Sequence, residues 1–183
     1  MQKMHSKTYI ITGPPGAGKT TLADKLATHL SQGLHLHCDD IYNMVKGGYK
    51  APWDDHDDRL TNLMFKAAHQ IIKNYADGGF DIVVDYVFNL EQLRKFISYL
   101  PGEIVLKVLL PNIEENIARD RHRQWVVGEE HVRRYHGDFE RSEELKAFFL
   151  DTTSLTPDEV LQNILQTEAL SKQTLLQQIR GTT

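Results

Sequence analysis

The chain has 183 residues, enough for one domain with a full apolar core and no need of disulfide or metal staples. It is 40% hydrophobic and 25% charged, like an ordinary globular protein, and its formal net charge of -4 gives no general basic field toward nucleic acid, so no such partner is expected. The single cysteine, Cys38, excludes an internal disulfide framework; with a polar Met1 to Lys7 stretch and no apolar run near the roughly 20 residues of a membrane span, a cytoplasmic protein without a membrane partner is expected.

Thr8-Tyr9-Ile10-Ile11-Thr12 reads as a first strand, a short β-rich run closed by Gly13 and Pro14. Lys19 to Leu30 reads as a helix, with Leu22, Leu26, Ala27 and Leu30 on one stripe. Leu34 to Cys38 is a second strand, a helix starts at Asp39 or Asp40, and Lys46 to Asp55, with Gly47, Gly48 and Pro52, is a loop. Asp57 to Asp77 carries Leu60, Leu63, Met64, Ala67, Ala68, Ile71 and Ile72 at helical spacing and stops at Gly78-Gly79. Phe80 to Val87 is almost continuously apolar, which predicts a strand buried on both faces.

A helix from about Leu90 to Leu100 and a strand from Ile104 to Leu110, ended by Pro111, come next. Two helices, Ile113 to His122 and Glu129 to Lys146, are joined by an exposed turn near Gly128. Phe148 to Asp151 is a short last strand, and Pro157 to Leu165 a helix with Thr156 as N-cap. Glu168 to Thr183, rich in Gln with scattered leucines, is expected to be a peripheral helix or tail. Strand and helix alternate throughout, the pattern of an α/β protein whose parallel sheet is covered on both faces. No linker or repeat interrupts it, so residues 1–183 read as a single domain.

Between the first strand and helix, Gly13-Pro14-Pro15-Gly16-Ala17-Gly18-Lys19-Thr20 matches G-x-x-x-x-G-K-[ST] at every fixed position. Glycines let the backbone curl so that N–H groups from about Gly16 to Thr20 converge on phosphate oxygens, where the helix N-terminus adds its partial positive charge. Lys19 reaches the β- and γ-phosphates, and the Thr20 hydroxyl is placed to ligate Mg²⁺; Thr21 completes the nucleotide-binding set.

With this motif the chain resembles the P-loop kinases of small metabolites, among them shikimate and gluconate kinases, chloramphenicol phosphotransferase, zeta toxin and the polynucleotide 5′-kinase domain, over about residues 8–165. The resemblance implies a P-loop NTPase fold: a three-layer sandwich with a five-stranded parallel sheet of order 2-3-1-4-5 and a helical lid at about 112–146. It also implies ATP and Mg²⁺ as cofactors, a small hydroxyl-bearing acceptor bound beside the second strand, and a monomer or homodimer. No N-K-x-D guanine-reading motif of the small GTPases occurs, and Thr152 to Pro157 stands where related kinases let backbone contact adenine.

In Cys38-Asp39-Asp40-Ile41 the resemblance makes Asp39, or else Asp40, the base that accepts the acceptor's proton; a carboxylate at the carboxyl edge of a strand can reach both acceptor and metal. Either could instead cap the next helix. Asp85, after Val83-Val84, looks like a Walker-B-type acid that holds magnesium or touches the acceptor, with a turn cap as the alternative. Arg119-Asp120-Arg121-His122-Arg123 resembles the lid R-x-x-x-R, in which Arg119 and Arg123 share a helix face and clamp phosphates; a solvated charged helix is the alternative.

Met44-Val45-Lys46-Gly47-Gly48-Tyr49 and Asp57-Asp58-Arg59 resemble the gluconate kinase acceptor stretch. That kinase's His-Pro and Pro-Trp-Leu are missing here. Lys46 and Arg59 are candidates to hold a carboxylate; Tyr49 and Trp53 read more readily as loop anchors than as a stacking surface. His35 and His37 share a strand face, yet no third ligand has a recognisable metal spacing. The expected function is ATP- and Mg²⁺-dependent phosphoryl transfer to a hydroxyl of a small molecule, with a sugar acid such as gluconate as one acceptor. The alternatives are a kinase of a nucleic-acid end or nucleotide sugar, and a P-loop ATPase or nucleotide-binding switch.

Overall fold

A computed structural model describes residues 6–55, 57–122 and 126–180, the side chain of Trp53 excepted. Strand β1 (Lys7–Thr12) lies at the centre of a parallel sheet, flanked by β3 (Asp81–Asp85) and β4 (Glu103–Leu109). Outside these lie β2 (Gly33–His37) and β5 (Phe149–Leu150), so the order is β2-β3-β1-β4-β5, as expected. The chain leaves β1 toward one side and returns to build the other, which opens a crevice at the carboxyl end of β1.

Alternation along the strands divides the core into two layers. Ile10, Leu36, Ile82, Val84, Leu106 and Val108 face helices α3 (Arg59–Asp77) and α4 (Leu90–Ser98), meeting Phe65, Ile72 and Phe96. Tyr9, Ile11, Val83, Val105 and Leu109 face the other way, onto Leu22 and Leu26 of α1 (Lys19–His29) and Val160, Leu161 and Ile164 of α7 (Pro157–Leu165). A strand with apolar residues on both faces needs a helix layer on each, which is why the sheet is sandwiched.

The first turns of α4 and α7 are closed by capping boxes, Asn89 with Gln92 and Thr156 with Glu159. Cys38 does not end a strand; it opens the short helix α2 (Cys38–Asn43) and is fully buried. Helix α3 begins at Arg59 and not at Asp57, because Asp58 takes a left-handed conformation (φ 50°) outside the helix, one that Asp tolerates better than most side chains. The helix expected over Glu129 to Lys146 is two pieces. Helix α6 (Glu129–Glu140) ends where Ser142 turns extended, and a 3₁₀ turn covers Glu143–Phe148. Helix α5 (Ile113–Arg121) precedes them.

The largest correction concerns the segment from Glu168 onward, which is not peripheral. Strand β6 (Leu170–Ser171) pairs antiparallel with the first residues of β4, while β5 takes the last ones, so the two share one edge of the sheet. Helix α8 (Lys172–Gln178) then sends Leu175 into the core, followed by Ile179, both with no exposed surface. Arg94 Nε donates to the Ile179 carbonyl at 2.7 Å. Two apolar residues four apart on a Gln-rich background make only a narrow stripe, too weak a periodic signal to predict docking.

Candidate active site

The Gly13–Thr20 loop lies in the crevice at the end of β1. Gly13 (φ 138°) and Gly16 (φ 79°) adopt backbone that L side chains rarely reach. Space forbids a side chain as well: a Cβ would fall 2.2 Å from the Leu109 carbonyl at Gly13 and 2.4 Å from the Asn116 carbonyl at Gly16. Asn116 of α5 is buried and its amide donates to the Pro15 carbonyl, so the lid's first helix is stitched to the loop. Lys19 is buried, with Nζ donating to the Pro14 carbonyl at 2.9 Å across the mouth of the curl.

Thr20 Oγ1 donates to Asp85 Oδ2 at 2.7 Å. Asp85 is 1% exposed, and its other oxygen accepts from His35 Nε2 at 2.8 Å. Burial alone drives this carboxyl up; the His35 hydrogen bond, the His37 charge and the Thr20 hydroxyl outweigh it and hold Asp85 below its ordinary value. His37 is 3.5 Å from Asp39, 3.1 Å from Asp40 and 3.8 Å from Asp85. Its hydrogen bond with Asp39 is the chief cause of a pKa pushed up to about 9, against burial and helped by the charges of Asp85, Asp39 and Asp40. The sequence showed only that His35 and His37 share a face of β2; the structure adds that His37 stands in register with Asp85 on β3.

A cavity of about 120 Å³ joins these groups, walled by Pro15, Lys19, Thr20, Asp39 and Asp85 on the loop side and by Val127 and Tyr135 opposite. Asp39 and Asp40 part company here. Both lie in the first turn of α2, whose N-cap is His37, so neither is the cap; Asp39 lines the cavity, whereas the Asp40 side chain is 74% exposed and lies outside its wall. Through Pro52, Tyr86, Val87 and Tyr135 this space shares its wall with a second cavity of about 390 Å³, which also includes Asp55, Asp58, Phe88, Gln92, Arg134 and Asp138.

A third space, about 290 Å³, lies on the far side of the loop between Gly18, Thr21 and Leu22 and the Thr152, Leu155 and Pro157 turn. Arg119 forms one wall of it. Its Nε donates to Glu115 at 2.7 Å and its Nη2 to the Thr152 carbonyl at 3.0 Å, while the buried Thr152 hydroxyl has no partner. Arg119 therefore ties the Thr152 turn to the wall of this space. Arg123, expected to share its face, is outside the described residues, as are His56 and the Trp53 side chain. Arg121 is turned outward and pairs with Glu129 at 2.8 Å.

The carboxylate-binding candidates stay outside these cavity walls. Lys46 is exposed and donates to the Asn43 carbonyl at 2.8 Å, Arg59 is exposed, and neither lines any of the three cavities. Tyr49 is a loop anchor, its ring edge-on to Tyr42 at 5.8 Å. The walls that sequence reasoning missed, Pro52, Asp55, Tyr86, Val127, Arg134, Tyr135 and Asp138, come from three separated stretches that carry no motif. Among the described residues no three His, Cys, Asp or Glu groups could by themselves hold a metal ion. The oxygen set of Thr20, Asp85 and Asp39 fits Mg²⁺ nonetheless, because this ion keeps several waters and takes the rest of its shell from phosphate. No helix of the described residues is long and apolar enough to cross a membrane.

No curated protein matches the sequence significantly. Among solved structures, the chain is similar to a tunicamycin resistance protein of Deinococcus radiodurans (TM-score 0.64, 18% identity, covering 91% of this chain and 99% of that one). It is also similar to a sugar kinase from Janibacter sp. HTCC2649 (TM-score 0.66, 16% identity, 87% and 92% covered). A gluconokinase from Sinorhizobium meliloti 1021 matches at TM-score 0.64 and 15% identity, with 90% and 91% covered. At such identities the shared property is the fold. The AAA domain family (AAA_18) matches residues 10–141, which span the phosphate loop, Asp39, Asp85 and the lid helices; the chain belongs to this P-loop family.

Proposed function

We propose that the chain is an ATP- and Mg²⁺-dependent phosphotransferase that moves the γ-phosphoryl group to a hydroxyl of a small molecule. The observation that carries this reading is the adjacency of two spaces: one with Lys19, Thr20, Asp39 and Asp85 in its wall, and a larger one sharing four of its residues. A hydrolytic switch needs room only for water, whereas about 390 Å³ lies within the roughly 300–1,000 Å³ of small-molecule pockets. In this reading the base of ATP would lie in the space beside Arg119 and Thr152, with its phosphates on the loop amides.

In this reading Lys19 leaves the Pro14 carbonyl for the β- and γ-phosphates and balances charge as it grows in the transition state. Thr20 and Asp85 would hold Mg²⁺, which supplies charge neutralisation on the phosphates. Asp39 orients the acceptor hydroxyl and takes its proton as the new O–P bond forms and ADP departs. His35 fixes the Asp85 carboxylate and His37 the Asp39 carboxylate. Val127 and Tyr135 cover the site from the lid side and keep water out. A reducing cytoplasmic setting suits the lone buried Cys38.

The sugar-acid variant of this reading has lost its two cations, Lys46 and Arg59. A nucleic-acid end is opposed by the three carboxylates in the larger cavity's wall. The test is acceptor-dependent ADP release across a panel of sugars, nucleosides and amino alcohols, with Lys19→Ala as the inactive control. Release that never depends on any hydroxyl compound would leave an ATPase.

A further inference from the structure

The larger cavity carries more information than its size. Its wall includes three carboxylates, Asp55, Asp58 and Asp138, against one guanidinium, Arg134. The four are not equivalent. Asp58, Asp138 and Arg134 are exposed; Asp138 is paired with Arg141 at 2.7 Å, Asp58 accepts from Gln92 at 3.4 Å, and Arg134 lies 5.0 Å from the Tyr135 ring. Asp55 alone is buried, at 3% exposure.

Its two oxygens have different fates. Oδ2 accepts from the Thr61 amide at 3.0 Å and from the Thr61 hydroxyl at 3.2 Å, which holds the first turn of α3. Oδ1 is buried with no close hydrogen-bond donor, and against the pull of burial the nearby Leu60 amide only supplements the Thr61 bonds in holding the carboxyl ionised. A structural cap needs one oxygen; leaving the second buried and bare costs free energy that a ligand's donor would return. A carboxylate has no proton to offer, so the missing partner must be a donor, and the one that best matches a buried negative charge is cationic.

Tyr86, Phe88, Phe139 and Leu145 supply the apolar remainder of the wall. Aromatic faces suit the C–H face of a saturated ring and also favour a nearby cation. Through Pro52, Tyr86, Val87 and Tyr135 the cavity meets the Asp39 space, where the reacting hydroxyl would have to enter.

We infer that the acceptor is a small ring-bearing amino alcohol, of the amino-sugar or aminocyclitol class, whose ammonium group is bound by Asp55 with Asp58 and Asp138 near it while a ring hydroxyl faces Asp39. This rests on the phosphotransferase reading for the hydroxyl but not for the ammonium. The same carboxylates repel sugar acids and phosphorylated acceptors, so the wall selects against anions as well as for a cation.

Matched probes decide it. Glucosamine and glucose differ chiefly by one ammonium group in place of a hydroxyl, N-acetylglucosamine masks that charge, gluconate reverses it, and 2-deoxystreptamine carries two such groups; all are tested in two assays. In turnover, glucosamine or 2-deoxystreptamine should give kcat/KM at least about tenfold above every neutral or anionic probe, the size expected for one charged hydrogen bond. In calorimetry with neither nucleotide nor magnesium, the aminated probes should bind and the others should not.

Asp55→Asn keeps an acceptor for Thr61 and should lose at least tenfold in amine affinity; Asp138→Asn, at an exposed position, should lose less and guards against a folding defect at Asp55. ATP affinity should be unchanged in both. Turnover that is best with gluconate or with a neutral sugar overturns the inference and leaves the kinase reading standing. Amine binding that is lost in Asp55→Asn, without turnover of any probe, supports the inference and overturns the kinase reading. Aminated probes that do not bind, or that bind Asp55→Asn as well as the unchanged chain, overturn the inference.

Discussion

The two sides of the phosphate loop are built in opposite ways. On the nucleotide side, eight consecutive residues carry most of the geometry, and the loop's curl is enforced by backbone that admits no side chain at Gly13 or Gly16. On the acceptor side, the wall is collected from Pro52 to Thr61, Tyr86 to Gln92 and Arg134 to Leu145, stretches that meet only once the sheet is formed. Local chemistry fixes the first; tertiary packing fixes the second. A common phosphate grip can therefore persist while the adjoining wall is free to change its partner.

Substitutions on either side put that division at risk, and their expected effects fall in order. Lys19→Ala should abolish acceptor-dependent ADP release, by about 10³-fold or more, with unchanged thermal stability. Asp39→Asn should lower kcat by about 10²–10⁴-fold and leave ATP affinity, measured by calorimetry, nearly as it was. Full turnover in that variant would remove Asp39 from the role of base. Leu175→Ala tests the core layer behind the acceptor wall and should cost about 2–5 kcal/mol in denaturant unfolding, because a fully buried leucine leaves a cavity.

If the base of ATP lies beside Thr152 as proposed, Arg119→Ala should raise the KM for ATP about tenfold with kcat little changed, since its guanidinium holds the Thr152 carbonyl in the wall of that space. A fall in kcat alone would assign it to the transferring group. The smallest effect concerns pH and magnesium-free protein. The folded pKa of His37 is about 9, above the 6.5 of an unperturbed histidine. Its protonated form therefore stabilises the fold fully below pH 6.5, and this contribution is lost as pH rises through about 9. Melting temperature should fall across that window, and His37→Gln should flatten the fall; an unchanged slope would mean that His37 carries no such charge.

How far the sequence spoke follows from the same division. The sandwich and the phosphate loop were legible because each rests on short-range pattern, namely helical stripes, apolar strand runs and glycines at fixed spacing; the strand order came from the resemblance to P-loop kinases that the loop motif carries. Asp39 and Asp85 were legible as strand-end acids, since any residue there borders the crevice. His35 was visible only as a partner on one strand face, and its tie to Asp85 depends on the pairing of β2 with β3, which no local signal announces. Lys46 and Arg59 lie outside the cavity walls, because a charge in the correct order along the chain says nothing about which way its loop folds. Asp55 escaped notice because its burial is decided by α3 and the strand-end segment after Asp85 closing around it.

The docking of Leu175 and Ile179 has a consequence for biosynthesis. Until Leu170 to Ile179 have left the ribosome, the sheet edge at Glu103–Ile104 has no partner strand and the part of the core that Leu175 and Ile179 fill stays open. The nascent polypeptide carries that apolar patch uncovered until this stretch has been made, a window in which chaperones can reach it.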